Sequence, residues 1–223
     1  MYNIIKLDQK IDGFDKLNKL VFKSYKANRK FFDKDIKNLD IAFLYTRDDM
    51  DKFCGNKTPE WLVGVSNYSR VVAIFSPSMF EKVSNHPKSD FVPTLTHEIA
   101  HAFIHSNYKF KSPAWLSEGI PGYVAKQYKI RPMFRKNLQK FKDIHDIDGW
   151  KKTINYPQAY SFTKYLINKF EKKKFLSLIS SLGEADSFKT FAKKVRQNLK
   201  TSFSNLEKDW LNQIKTSWKE VAP

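Results

Sequence analysis

The densest group of chemically reactive side chains lies in residues 96–105, THEIAHAFIH, which contain three of the five histidines in the 223-residue chain. His97 and His101 are four residues apart, so on an α-helix they lie on one face, about 6 Å apart along the axis. Two imidazoles placed in this way can bind one metal ion. Glu98 projects from an adjacent part of the same surface, where its carboxylate can reach a water on that metal without joining the ligand set.

This spacing is the H-E-x-x-H pattern, in which two histidines hold zinc and the glutamate acts as a general base. A helix is expected at residues 91–106, because apolar side chains recur on one face with the spacing of a buried stripe. These side chains are Leu95, Ile99, Ala102 and Phe103. A single histidine in such a helix is better explained as a core residue, but paired imidazoles with a carboxylate between them favour a metal site.

A catalytic zinc ion needs a third protein ligand and one open position. His105 lies one turn beyond His101, but three histidines along one straight helix face cannot converge on a tetrahedral ion. We therefore expect His105 to be solvated or hydrogen-bonded. The longer motif H-E-x-x-H-x-x-G-x-x-H is excluded, because Ile104 replaces its glycine and Tyr108 replaces its last histidine. The remaining candidate is Glu118.

Glu118 lies in PAWLSEGIPGYVA, residues 113–125, after a polar, proline-containing segment that can reverse the direction of the chain. Gly119, next to it, permits close approach of another segment. Taken alone, Glu118 is more simply a surface carboxylate at the start of a helix, where the helix dipole favours a negative charge.

The combination of H-E-x-x-H with a downstream W-L-x-E-G resembles the gluzincin zinc metallopeptidases, particularly the M1 aminopeptidase group and the smaller peptidase-MA-like domains. The resemblance covers roughly residues 60–170. VGVSNYSRVVAIFSP (63–77) stands where these enzymes have a G-x-M-E-N segment followed by an edge strand. NYPQAYSFTKYL (155–166) is similar to the stretch whose leading tyrosine supports the transition state.

The resemblance implies one Zn²⁺ ion held by His97, His101 and Glu118. It also assigns the general base to Glu98 and the oxyanion-stabilising hydroxyl to Tyr156. Tyr160, one helical turn later, is the alternative to Tyr156. In such a site the metal lowers the pKa of bound water towards 7 and polarises the scissile carbonyl. The general base takes the proton of the attacking water and passes it to the leaving amine.

Three departures from the family pattern bear on activity. Ser66 replaces the glutamate that binds a free α-amine in aminopeptidases, which favours an endopeptidase over a strict aminopeptidase. Ala125 replaces the carboxylate that orients a zinc histidine, so another acceptor is needed. Pro121-Gly122 interrupts the helix after Glu118, which should start late or bend. The same departures motivate the alternative function, a catalytically impaired gluzincin-like module for binding or regulation.

Composition limits the class of protein and its partners. The net charge is +17, but no recognised nucleic-acid module is present, so we expect a peptide or protein substrate and attraction to an acidic partner. No apolar run approaches the roughly 18 residues of a membrane span, and MYNIIKLDQK is not a signal-peptide pattern. Together with the single Cys54, these features predict a cytoplasmic protein. The sequence does not indicate an oligomeric state.

The expected fold is α+β and zincin-like. A small N-terminal mixed sheet with the active-site helix would occupy residues 1–130, and an all-helical lobe completing the cleft would occupy residues 131–223, in one compact catalytic unit. The segment RVVAIF (70–75) would pair with extended substrate as an exposed sheet edge, or serve as a plain hairpin partner. Strands are predicted at 39–46, 60–67 and 70–77. Helices are predicted at 11–32, 91–106, 117–129, 157–170, 172–182, 186–198 and 204–218.

Overall fold

A computed structural model describes residues 2–5, 14–67, 70–130 and 138–219. Over these residues the chain is α+β and mostly helical, as expected, with eight α-helices and one four-stranded mixed sheet. The strands are β1 (Tyr2–Ile5), β2 (Leu39–Leu44), β3 (Gly64–Ser66) and β4 (Val71–Phe75). The helices are α1 (Phe14–Phe32), α2 (Arg47–Cys54), α3 (Phe91–Asn107), α4 (Ala114–Val124), α5 (Ile147–Thr153), α6 (Tyr156–Ser181), α7 (Phe188–Leu199) and α8 (Phe203–Lys219).

The sheet has the order β1-β2-β4-β3, so β4 is an interior strand. It pairs in parallel with β2 and antiparallel with β3, with Gly64 opposite Ile74 and Ser66 opposite Val72. The expectation that RVVAIF forms an exposed edge is therefore wrong, and the alternative of a hairpin partner is correct. An unbroken apolar run such as VVAIF is typical of a strand covered on both faces. The edge strand on this side of the sheet is β3.

Elements without strong periodicity escaped prediction. β1 was not expected, although it pairs in parallel with β2 over four residues. α2 was not expected either, because its sequence RDDMDKFC is too polar for an apolar stripe. Its start is fixed by a capping box, in which the Thr46 hydroxyl accepts from the Asp49 amide and the Asp49 carboxylate accepts from the Thr46 amide. Gly55 ends the helix in the left-handed conformation that glycine adopts readily.

α3 is a core helix that packs on α1 and on β3 and β4. The predicted stripe is confirmed, since its four apolar side chains are fully buried. Polar groups also join α3 to α1: the buried Asn28 amide donates to the Thr96 carbonyl at 3.0 Å, and the Thr96 hydroxyl donates to Ser24 at 2.9 Å. Because buried polar groups are costly unless paired, this network fixes the register of the two helices just before His97.

α4 begins at Ala114, three residues before the predicted start, and ends at Val124. The carbonyl of Pro113 accepts from the amides of Leu116 and Ser117, both at 3.0 Å, and so closes the first turn. Pro121 lies inside the helix, so of the two expected effects the late start is wrong, and the bend stays a prediction. The predicted extension to residue 129 is replaced by a separate 3-10 turn at Gln127–Lys129.

The helical part of the chain is built around aromatic rings. Trp115 of α4 lies 4.7 Å from the ring of Phe141 and 5.3 Å from that of Phe162 on α6. The break predicted between residues 170 and 172 is confirmed, because Glu171 has a φ of 62° and interrupts α6. α7 and α8 match the predicted helices within two residues. The start of the first predicted helix, residues 11–13, lies outside the described residues.

The described residues divide into two compact units. One lies within Met1–Asn107 and includes Val124–Gln127, and the other comprises Tyr108–Tyr123 with the described part of Tyr128–Pro223. We call them the sheet unit and the helical unit. By sequence, the range of the helical unit holds 23 of the 40 basic residues and 10 of the 23 acidic residues, a net charge of +13. None of the helices in the described ranges combines the length and the apolar content that a membrane crossing requires.

Candidate metal centre

α3 brings the two predicted histidine ligands together. The Nε2 atoms of His97 and His101 lie 3.1 Å apart, and the two rings meet edge to face with centroids 4.8 Å apart. His97 is buried and His101 is partly buried. Two ring nitrogens at this distance must share either a proton or a cation, because two lone pairs would otherwise face each other.

The spacing suits a zinc ion. A tetrahedral zinc with Zn–N bonds near 2.1 Å holds two nitrogens roughly 3.4 Å apart, close to the distance between the His97 and His101 nitrogens. Both nitrogens lie on one face of a helix whose register is fixed by burial. The imidazole pair therefore fits a metal with little rearrangement.

The carboxylate of Glu118, on α4, completes the set. One potential ligand atom from each of His97, His101 and Glu118 lies within 4.8 Å of the other two. In the part of the chain that the structure describes, this is the one group of three or more histidine, cysteine or acidic side chains spaced for a metal. Two imidazoles and one carboxylate are a known ligand set of catalytic zinc sites. His105 is not in the group, and its ring lies nearly parallel to that of His101 at 6.0 Å.

A hydrogen bond at Nδ1, the ring nitrogen that does not face His101, orients the His97 ring. The Nδ1 of His97 lies 2.8 Å from Oε1 of Gln127, and both side chains are buried. Because an amide oxygen only accepts, Nδ1 carries the proton and Nε2 presents its lone pair towards His101. Gln127 is thus the acceptor that Ala125 does not provide. It follows α4 directly and belongs to the sheet unit.

Glu98, the predicted general base, is buried beside the edge strand. A methyl group at Gly64 would lie 2.9 Å from Glu98 Cγ and 3.3 Å from Thr94 Cγ2. The absence of a side chain at Gly64 therefore leaves the space that the Glu98 side chain occupies. The Glu98 side chain therefore lies beside β3, and Glu98 follows His97 directly in the sequence.

The helix that carries Glu118 packs on α6 through its glycines. A Cβ at Gly119 would lie 2.8 Å from the carbonyl oxygen of Ala159, and a Cβ at Gly122 would collide with the ring of Tyr160. Gly119 thus permits close approach, but the segment that it meets is α6 and not the helix with the two histidines, for which it was expected.

The two candidate tyrosines differ in exposure. Tyr160 is 2% exposed and lies against Gly122, whereas Tyr156 is partly buried in the first turn of α6, with its ring 5.5 Å from that of Trp150. The two phenol rings lie 5.9 Å apart. A catalytic role for either hydroxyl stays a prediction.

Two residues of this centre gave no usable signal in the sequence. Gln127 lies 30 residues after His97 and belongs to no motif. Gly64 lies in residues 63–77, which carry part of the resemblance. Its contact with Glu98 could not be predicted without knowing how β3 packs on α3. Both depend on contacts between segments that are distant in the chain.

Comparison with protein-family models, with curated proteins and with solved structures finds no match to this chain. The resemblance to gluzincins therefore rests on the motif residues.

Proposed function

We propose that this chain is a zinc-dependent peptidase of the gluzincin type with a zincin-like fold. The observation that carries the proposal is the grouping of His97, His101 and Glu118, with the two Nε2 atoms 3.1 Å apart and Glu98 next to His97 in the sequence. The general base is the residue that a decayed site most readily loses, and its retention favours an enzyme over an impaired binding module. The cytoplasmic location inferred from the sequence is part of the same proposal.

The residues of the chain divide the chemistry between them. When bound, a zinc ion would acidify a coordinated water and polarise the scissile carbonyl. Glu98 accepts the proton of the attacking water and delivers it to the leaving amine. Gln127 keeps the His97 lone pair available. Tyr156 donates a hydrogen bond to the oxyanion, and its partial exposure favours it over the buried Tyr160.

Extended substrate would add to β3 by backbone hydrogen bonds. Among the residues that the structure describes, β3 is the last strand of the sheet on this side and pairs with β4, so one of its edges has no strand partner there. Its contact with Glu98 through Gly64 brings the proposed general base next to that strand. β3 consists of Gly64, Val65 and Ser66, and therefore offers no carboxylate to bind a free α-amine. This supports endopeptidase action.

The test is proteolysis of an unfolded protein and of paired peptides with free and acetylated N-termini. We expect cleavage of all three substrates, loss of cleavage with a zinc chelator and recovery with added zinc. Glu98→Gln should lower kcat/KM by about 10²–10⁴-fold while zinc is retained. Glu81→Gln, on an exposed residue of the sheet unit, is the matched control.

Two results would overturn the proposal. A purified protein that binds zinc but cleaves none of the substrates, with no change in Glu98→Gln, would indicate the binding module. Cleavage confined to free N-termini would refute the endopeptidase assignment and restore an aminopeptidase.

A further inference from the structure

We infer that Gln127 is a positioning residue that selects the metal-binding tautomer of His97 without adding charge to the site. The inference rests on the proposed metal site for its consequence, but its first step concerns the protein without metal. It follows from the 2.8 Å contact between His97 Nδ1 and Gln127 Oε1, in which both side chains are more than nine-tenths buried.

The tautomer matters because a neutral imidazole has one N–H and one lone pair. If the proton were on Nε2, the nitrogen that faces His101 would be a donor and could not bind a metal. With the proton on Nε2, the Nδ1 lone pair would face the Gln127 oxygen, which would leave two buried acceptors 2.8 Å apart. Gln127 therefore prepares the His97 Nε2 lone pair before any metal arrives.

The amide also differs from a carboxylate in charge. A carboxylate in this position adds a negative charge near the metal and raises the basicity of the imidazole. Gln127 supplies the orientation but not the charge. Two neutral imidazoles and one carboxylate then leave a divalent ion with a net charge of +1. We expect this centre to hold zinc less tightly than the same centre with glutamate at position 127.

The backbone explains why this residue reaches His97. α4 ends at Val124, and Lys126 has a φ of 59°, which turns the chain. A 3-10 turn then starts at Gln127 and continues to Lys129. The segment Val124–Gln127 is the short part of the chain beyond Asn107 that belongs to the sheet unit. The hydrogen bond therefore fastens the residues that follow α4 to the helix that carries both histidines.

The first experiment measures the tautomer in the metal-free protein. Histidine ¹⁵N chemical shifts, recorded where the spectrum shows a neutral imidazole, should report a proton on Nδ1 of His97 in the wild type. Gln127→Ala should move the proton wholly or partly to Nε2. Gln127→Glu, which keeps an acceptor, should retain the wild-type tautomer. Gln197→Ala, on an exposed glutamine of α7, should change nothing.

The second experiment measures zinc dissociation constants by competition with a chelator. We expect Gln127→Ala to weaken binding by about 10- to 100-fold and Gln127→Glu to strengthen it. A wild-type Nε2–H tautomer, or an unchanged tautomer in Gln127→Ala, overturns the inference. So does unchanged zinc affinity in a folded Gln127→Ala. If the wild type binds no zinc, the proposed function fails, while the chemical shifts still decide whether Gln127 sets the tautomer.

Discussion

Gly64 of the edge strand lies against Glu98 of the metal-site helix, so closely that an added Cβ would come within 2.9 Å of Glu98 Cγ. The contact joins the strand proposed to bind substrate to the proposed general base. Both residues belong to the sheet unit. Their relative position follows from the packing of α3 on β3 and not from any local sequence pattern.

Gly64→Ala should displace the Glu98 side chain while the histidines remain in place. A shift of about 1 Å in a catalytic group can cost on the order of 10²-fold in rate, so we expect a loss of that size in kcat/KM with zinc content unchanged. Ser78→Ala, on an exposed residue of the same unit outside β3, is the control. Wild-type activity in a folded Gly64→Ala would show that the position of Glu98 does not limit catalysis.

Glu118→Ala should remove a third of the proposed ligand set. Loss of stoichiometric zinc is expected, because two imidazoles alone bind zinc much less tightly than three ligands. Metal analysis after gel filtration measures this directly. Glu184→Ala removes an exposed carboxylate from the same unit, where Glu184 pairs with Lys111, and should leave zinc unchanged. Full zinc retention in Glu118→Ala would require a different third ligand.

The two tyrosines can be separated by removing each hydroxyl. Tyr156→Phe should lower kcat by about 10²–10³-fold with little effect on KM, as expected for a donor that acts on the oxyanion. Tyr160→Phe should leave kcat near the wild-type value, because this ring packs against Gly122 in the interior. The opposite ranking in steady-state kinetics would transfer the role to Tyr160.

Acid should lower the free energy of unfolding through Asp51, whose carboxylate holds the segment at Lys57 and Thr58 that precedes β3. Hydrogen bonds from the Lys57 ammonium and from Thr58 lower the pKa of Asp51 from 3.8 to about 2. Since the carboxyl pKa is lower in the folded state, its stabilising contribution is complete above about pH 4 and is lost as the pH falls towards 2. Asp51→Asn should therefore flatten the decrease of unfolding free energy over this range. Asp48→Asn, an exposed carboxylate on the same helix, is the control, and an equal effect there would contradict the prediction.

Charge should influence the choice of substrate. Because the helical unit carries a net charge of +13 by sequence, an acidic unfolded substrate should be cleaved with a lower KM than a neutral one of equal length at low salt. Added salt should reduce this difference, since exposed charges are screened. If the KM values of the two substrates depend equally on salt, the result contradicts a preference for acidic substrates.

The sequence by itself determined the proposed metal ligands on α3, the buried stripe behind them, the α+β class and the break in α6. These features are encoded within one or two helical turns, where residue spacing fixes which side chains share a face. Glu118 was named through a resemblance, and its approach to the histidines is a property of the tertiary structure. Packing likewise decided which strand forms the sheet edge, that Gln127 orients His97, and that Gly64 makes room for Glu98. Each of these contacts joins segments separated by tens of residues, and only the burial of a shared core brings such segments together.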